Sequence, residues 1–416
     1  MDISESWVVG PAAYPATGLP PLPETGPFAL LHGEGRFVIL AEDPLAAFDT
    51  PTVEPMRFER SGSVPPILPD LIGFVGYGHD AGCGPTSPRQ PAWSPLAVPD
   101  FRFVLYARVR IWDLEAGLLY EGERRAPRRL EARPSLLKPG RFEARKLRDT
   151  DTPAGYQAKV ERIREQIGLG NVYQVDLTRQ EAWAYEGSIL TLARRLAEAD
   201  PAPHSAVIVD PDFAIVGASP ESFLRIRNGV VTTRPIKGTA PRDADPARDA
   251  ETATQLLASA KNRSELAMIV DLLRNDLTRI CEVPSVRVTA FPDLERYSRV
   301  MHLVATVEGR LRPTATLRDI LQATLPGGSV TGCPKIAAVN LIRDLEPAPR
   351  GPYTGALGWL SHDLTQMDLS IVIRTAWADA HELRFGVGGG IVWDSDPADE
   401  YLETQHKAAS LVRCLG

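Results

Sequence analysis

The stretch that most limits what this chain can fold into is Thr233-Arg234-Pro235-Ile236-Lys237-Gly238-Thr239. A β-branched run, Gly229-Val230-Val231-Thr232, leads into it and predicts a strand. Pro235 has no N–H to give to a ladder, and Gly238 admits a tight backbone turn. The pattern leaves Lys237 at the end of a strand, beside a Gly-Thr turn whose N–H groups are free. An amine held among apolar neighbours favours its neutral form and becomes a nucleophile. A lysine that caps a strand and points to water would read the same, so the other stretches must decide.

A chain of 416 residues can bury a large core, and its length alone would allow two or three domains. The formal net charge of −7 gives no reason to expect nucleic acid. No run of about 18 apolar residues exists, so no membrane-spanning helix is expected. The start, Met1-Asp2-Ile3-Ser4-Glu5, has neither the basic nor the apolar region of a signal peptide. Cys83, Cys281, Cys333 and Cys414 are scattered, which suggests reduced thiols in a cytoplasmic protein rather than a disulfide framework or a zinc site.

Residues 1–26, rich in Pro and Gly, read as a loose lead-in. Strands are expected at 28–31, 37–40, 71–77, 101–112 and 118–122. Residues 123–150 are rich in Arg and Pro and lack an aromatic platform; they read as a solvated linker. Asp151 or Thr152 can cap a helix with Pro153 in its first turn and Tyr156, Val160, Ile163 and Ile167 on one face. In the next strand Tyr173, Val175 and Leu177 face one way and Gln174, Asp176 and Thr178 the other. The helix expected from Lys261 to Cys281 carries an apolar stripe, with Glu265 at its edge. The Leu325–Lys335 loop superficially resembles a phosphate-binding loop, but Cys333 and Pro334 separate Gly332 from Lys335 and no Lys-Ser/Thr pair follows. A strand over 368–377 would place Arg374 on the Ser370/Val372 face, and Gly388-Gly389-Gly390 reads as a bare turn. Asp396 can cap a last helix on which Glu400, Glu403 and Lys407 share a face, as a salt-bridged solvated face also would.

Glu265 and Glu403, with Glu400 nearby, offer oxygen ligands without His or Cys, a set that suits Mg²⁺. Arg374 offers a planar fork for a carboxylate. The two glycine turns offer N–H donors. This inventory fits a small substrate with two carboxylates and does not by itself name it.

Recognition goes further. The chain resembles the chorismate-utilising enzymes: anthranilate synthase component I, aminodeoxychorismate synthase component I, isochorismate synthase and salicylate synthase. The resemblance is dense from about residue 153 onward. It rests on Val172-Tyr173-Gln174-Val175-Asp176-Leu177, Ser219-Pro220-Glu221-Ser222-Phe223, Pro235-Ile236-Lys237-Gly238-Thr239 and the run from Met268 to Leu277. It continues in Pro326-Gly327-Gly328-Ser329-Val330-Thr331-Gly332, Gly389-Gly390-Ile391-Val392, and Glu403 through Lys407. The fold this implies is α/β (α+β): one large unit with antiparallel sheets at its centre and helices outside. Residues 1–122 would be a variable N-terminal half, 123–150 the linker, and 151–416 the chorismate-binding catalytic region.

Within that family, isochorismate and salicylate synthases resemble each other in having lysine where Gln174 stands, and glutamine cannot serve as a base for water. Anthranilate synthases usually have alanine where Lys237 stands, and the lysine looks like the aminodeoxychorismate branch. The resemblance implies Mg²⁺ on Glu265 and Glu403, with Glu400 close by. Gly238 and Thr239 would help to hold the ring carboxylate. Tyr353, Arg374 and Gly390 would hold the enolpyruvyl carboxylate, and Lys407 would lie in the substrate site. Lys237 would be the nucleophile, Glu221 the general acid, and His302 would line the ring. Ammonia would come from a separate glutamine amidotransferase subunit, for a product on the p-aminobenzoate/folate route. The closest rival is anthranilate synthase component I; a rival of another class is a non-catalytic chorismate-binding subunit.

Overall fold

The computed structural model describes residues 1–416 apart from 13, 15–18, 34, 53–54, 80–81, 89–90, 92, 127–129, 131–135 and 298–299. The N-terminal strands are β1 (Asp2–Pro11), β2 (Phe28–Gly33), β3 (Phe37–Phe48), β4 (Arg57–Gly62), β5 (Leu71–Val75), β6 (Phe101–Asp113), β7 (Leu118–Arg125) and β8 (Glu143–Asp149). Helix α1 (Pro153–Gly168), β9 (Gln174–Glu186), α2 (Ile189–Ala199), β10 (His204–Val209), β11 (Ala214–Ser219), β12 (Ser222–Arg227), β13 (Val230–Thr233) and β14 (Ile236–Pro241) follow. Then come α3 (Pro246–Ala258), α4 (Ala260–Thr278), β15 (Arg287–Arg296), β16 (Val300–Arg310), α5 (Leu317–Thr324), β17 (Gly332–Cys333) and α6 (Lys335–Leu345). The chain ends with β18 (Ala356–Leu360), β19 (Gln366–Ile371), β20 (Thr375–Ala378), β21 (Glu382–Ile391) and α7 (Pro397–Leu415).

The long strand β6 joins two antiparallel wings. Its partner β3 continues through β2, β10, β11, β20, β21 and β9 to β8. Its other edge pairs with β5 through Phe101–Val104, and that wing runs on through β18, β19, β12, β13 and β16 to β15. The inner faces of the two wings meet in one core, where Ala29, Leu31, Ile208 and Trp377 pack with Ile72, Phe74, Leu357 and Trp359. The outer face of the first wing is covered by Leu192 and Leu196 of α2 and Leu411 and Leu415 of α7. The outer face of the second is covered by α3, α4 and α5, through Leu256, Leu266, Leu277 and Ile320 among others. Buried on both faces, inner strands such as β5, β10, β11 and β18 read as continuous buried runs, while β8 and β15 at the ends of the wings are largely exposed. This is the expected arrangement of antiparallel sheets at the centre with helices outside.

Local signals explain the helix starts. Thr152 accepts from the N–H of Gly155, with Pro153 in the first turn, and Asp396 accepts from Ala398 and Asp399. No helix among the described residues is long and apolar enough to cross a membrane.

Several expectations need correction. The lead-in contains β1, which pairs with β4 in parallel and β7 antiparallel and buries Trp7. The linker at 123–150 contains β8, paired with β9, and its basic run includes a buried Arg124; residues 127–129 and 131–135 lie outside the described set. Tyr173 stands exposed just before β9. Residues 368–377 are two strands, β19 and β20, belonging to different wings. Arg374 lies at the crossover between them with φ of 50°, so strand alternation cannot set its direction. Gly388-Gly389-Gly390 is part of β21, paired with Asp176, Leu177 and Thr178 of β9, and is no turn.

Candidate active site

Pro235 separates β13 from β14 as its missing N–H requires, and both strands pair with β16. Lys237 is not at the strand end, however. It lies inside β14 opposite Leu303, and the ladder slips between Lys237 and Thr239, where Gly238 takes φ of 77°. That bulge re-aims the residues on either side of it. Thr239 Oγ1 lies 2.9 Å from His302 Nδ1. The His302 ring stands edge-on to Tyr297, with centroids 5.5 Å apart. Burial, then the charge of Arg374, lower the pKa of His302, so the ring is held neutral.

The charge of Lys237 is felt by two carboxylates, which an apolar nest alone would not provide. Its charge bears on Glu221, in the turn before β12, and on Asp176 of β9. Glu221 is buried. Burial raises its pKa to about 7, against the opposing effects of a hydrogen bond from Ser329 and the charges of Lys237 and Lys407; the charge of Asp176 adds to the rise. Asp176 is also raised, by burial first, with Lys237, Arg350 and Lys407 holding it back. Asp176 Oδ2 is sealed from solvent without a hydrogen-bond partner, as are both amide atoms of Gln174 two residues earlier. A carboxylic acid that is half protonated near neutral pH beside an amine is the arrangement that acid–base chemistry needs.

The raised pKa has a consequence for stability. The folded state holds the Glu221 proton up to about pH 7, whereas the unfolded chain releases it near 4.5. Between those values the native state binds more protons, so this group's contribution falls as pH rises. Glu221→Gln is therefore expected to be more stable than wild type above pH 7, by on the order of 1–3 kcal/mol, with the gap closing near pH 4. Urea midpoints at pH 4.5 and 8 measure this; a gap that does not grow with pH would contradict it.

Across β9, the three glycines of β21 leave bare backbone. A Cβ on Gly390 would meet Gln174 Nε2 at 2.6 Å. A Cβ on Gly389 would lie 3.3 Å from Glu400 Oε2, 3.4 Å from Glu403 Oε1 and 3.7 Å from Lys407 Nζ. The expected shared face on α7 is thus present and directed at the sheet. Lys407 Nζ lies 2.6 Å from Glu403 Oε1 and donates to Gly388 O at 2.9 Å. Glu400 accepts from Ser395 Oγ at 2.6 Å, and burial, aided by the charge of Glu403, raises its pKa. Glu265 is half-buried on α4, as its place at the edge of the stripe implies. The three carboxylates do not form a ready-made cage: no group of three metal-binding acidic, His or Cys side chains forms among the described residues. Mg²⁺ does not need an all-protein cage, because one or two carboxylates plus substrate and water suffice. The hard-oxygen pair of Glu400 and Glu403 over bare Gly389 fits it.

Tyr353 is buried between the wings, stacked on Trp377 with centroids 6.5 Å apart, and burial raises its pKa. Its ring sits where a Cβ on Gly386 would be, at 2.3 Å from Tyr353 Cδ1. Arg374 is partly exposed and reaches Asp200 at 3.5 Å, a loose contact that leaves most of its fork available. Lys335, at the start of α6, is bound to Asp276 at 2.6 Å and to Thr324 O at 3.4 Å, so it serves the loop's own structure.

The residues expected in the site thus fall into separate groups: Glu221 with the charges of Lys237 and Lys407 bearing on it; Gly238, Thr239, His302 and Arg374; and Glu400, Glu403 and Lys407 over Gly389, while Gly390 faces Gln174 instead. Sequence reasoning assigned no site role to Asp176, Ser329, Glu346 or Arg350. The Gln174/Asp176 alternation placed Asp176 on the correct face, and the i, i+4 spacing of Glu346 and Arg350 was readable, but nothing local indicated their burial.

A family model described as chorismate binding enzyme matches residues 34–413. The chain is 32% identical to aminodeoxychorismate synthase component 1 of Bacillus subtilis over 97% of this chain and 89% of that one. It is 42% identical to anthranilate synthase component 1 of Aeropyrum pernix over 63% of this chain, spanning 60% of that relative's length. Anthranilate synthase component I from Streptococcus pneumoniae superposes with a TM-score of 0.72 at 28% identity, covering 98% of this chain and 92% of that one. With the match running along nearly all of the sequence, the chain belongs to the chorismate-binding enzymes.

Proposed function

We propose that this protein is an aminodeoxychorismate synthase component I, which converts chorismate and ammonia to 4-amino-4-deoxychorismate. The observation that carries the reading is Lys237 on the bulged β14, its charge bearing on Glu221 and Asp176. The nearly full-length likeness to the Bacillus subtilis relative supports it. In this reading Tyr353, Arg374 and the Gly390 backbone hold the enolpyruvyl carboxylate. Gly238 and Thr239 hold the ring carboxylate, and His302 packs against the ring. Mg²⁺ on Glu403 and Glu400, with Glu265 from α4, would supply positive charge for that ring carboxylate.

The Lys237 amine adds to C2 of the ring. The conjugated electrons shift toward C4, and the C4–O bond breaks as Glu221 passes its proton to the departing hydroxyl, which leaves as water. Ammonia then adds at C4, the electrons shift back, and the C2–N bond breaks to return the Lys237 amine. Glu221, now a carboxylate, accepts a proton from the incoming nitrogen. One difficult displacement becomes two easier ones. Like the relatives named as a component 1, the chain would take ammonia from a separate glutamine amidotransferase.

The second reading, anthranilate synthase component I, is favoured by the 42% identity to the Aeropyrum pernix protein. Mass spectrometry of the products from chorismate, Mg²⁺ and ammonium at mildly alkaline pH separates the two. Aminodeoxychorismate supports the proposal, anthranilate replaces it, and chorismate bound without turnover would favour a binding subunit. For the metal, Glu403→Gln is expected to raise the Mg²⁺ concentration at half-saturation roughly tenfold or more, and Glu265→Gln less. An unchanged Mg²⁺ titration in either variant removes that residue from the metal site.

A further inference from the structure

Arg350 is 3% exposed, and all five of its N–H donors have acceptors. Nε donates to Glu346 Oε2 at 2.9 Å, and Nη2 donates to Glu346 Oε1 at 2.7 Å and to the carbonyl of Asp176 at 2.8 Å. Nη1 donates to the carbonyl of Val330 at 2.8 Å and to Thr354 Oγ1 at 3.2 Å. The Tyr77 ring covers the guanidinium at 4.5 Å. Glu346 Oε1 also accepts from the N–H and Oγ1 of Thr178, at 2.9 and 2.8 Å. Only a planar fork can reach so many acceptors in fixed directions; an ammonium cannot.

The targets of that fork are not scattered. Asp176 lies beside Gln174 on β9 opposite Gly390, and feels the charge of Lys237. Val330 follows Ser329, whose hydroxyl bonds Glu221. Thr354 follows Tyr353. Thr354 has φ of 60°, a strained conformation for a β-branched residue, and its hydroxyl donates to Tyr353 O at 2.7 Å while accepting from Arg350. Strain of this kind persists only where the surroundings over-determine it.

We propose that the buried Arg350–Glu346 pair is the positioning element of the reacting centre, tying β9, the Ser329 turn and the Tyr353 corner into one geometry without touching substrate. The proposal rests on the reading of the site given above. An ion pair that only held the fold together would change stability and leave the kinetic constants alone.

The test uses Arg350→Lys, Thr354→Gly and Thr354→Ser, with steady-state chorismate consumption and urea midpoints read for each. Arg350→Lys is expected to lower kcat about 100-fold, the scale of a misplacement of about 1 Å. Thr354→Gly accepts the backbone angle but has no hydroxyl, and is expected to raise the KM for chorismate roughly tenfold; Thr354→Ser, which keeps the hydroxyl, is expected to stay within about threefold. If Arg350→Lys does not fold, the contrast between the two Thr354 variants decides. Kinetic constants within about threefold of wild type in a folded Arg350→Lys, or equal KM values for the two Thr354 variants, overturn the proposal. Chorismate loss is read whatever the product, so anthranilate as product would overturn the reading of the reaction and leave this one standing.

Discussion

Replacing Lys237 by alanine is expected to reduce amination of chorismate by a factor on the order of 10³ or more, equivalent to several kcal/mol of transition-state stabilisation. Lys237 is half-buried, and the backbone of β14 is held by its ladder with β16 and by the φ of Gly238. The truncation therefore removes an amine and a stem without opening a core cavity, and the urea midpoint should move little. With the lysine gone, the negative charges of Glu221 and Asp176 lose a nearby cation, which drives both further toward their protonated forms. The general acid survives in the variant; the nucleophile does not. Retention of more than about a tenth of wild-type turnover would remove the covalent role and leave Lys237 as an electrostatic neighbour.

The second large effect concerns stability, far from this site. Arg124→Met is expected to cost on the order of 3–5 kcal/mol. Arg124 is 1% exposed. It binds Glu5 Oε1 at 2.6 Å, Asp70 Oδ1 at 3.4 Å and the carbonyl of Pro69 through both terminal nitrogens. Arg60 closes the network on the same two carboxylates, at 2.6 Å to each, and His362 Nδ1 lies 2.8 Å from Asp70 Oδ2. Burial alone would raise the pKa of Asp70. The hydrogen bond from His362 and the charges of Arg124 and Arg60 outweigh it and leave the group below its usual value. Its contribution is therefore present above the ordinary carboxylate range and is lost as pH falls through it. Removing one arginine leaves two buried carboxylates with a single guanidinium, and Glu5 of β1 keeps only Arg60. Urea unfolding at pH 7 measures this; a loss below about 1 kcal/mol would show that Arg60 and His362 alone can satisfy both acids.

That network shows where reading the sequence stops. Arg124 stands in a run rich in Arg and Pro, and charge count makes such a run a solvated linker. Its burial depends on Glu5 and Asp70, both more than fifty residues away, and no local pattern announces them. The same limit applies to Arg350, whose acceptors come from β9, the Ser329 turn and the Thr354 corner. Period-2 alternation works where a strand has one ladder and one direction. It placed Gln174 and Asp176 correctly on β9, and it failed at Arg374, where the chain crosses from one wing to the other. Three successive glycines suggested a turn, yet in β21 they serve close approach, leaving room for Gln174 and for the carboxylates of α7. Helix starts and stripes were readable at α1, α4 and α7 because caps and 3.6-residue spacing are local physics. A shared site of Glu221, Lys237 and the α7 carboxylates is what the resemblance implies; the register of β9 with β21 sets Gly389 against the α7 carboxylates, and the bulge of β14 sets the direction of Lys237.

The central claim is a covalent bond between Lys237 and the substrate ring. The direct measurement is peptide mass mapping after acid quench of the protein incubated with chorismate and Mg²⁺, with no ammonium present. The proposed mechanism expects the peptide containing Lys237 to gain the mass of chorismate less one water, and expects ammonium added before the quench to discharge it. An unmodified Lys237 peptide in a preparation that turns over once ammonium is supplied would contradict the covalent mechanism.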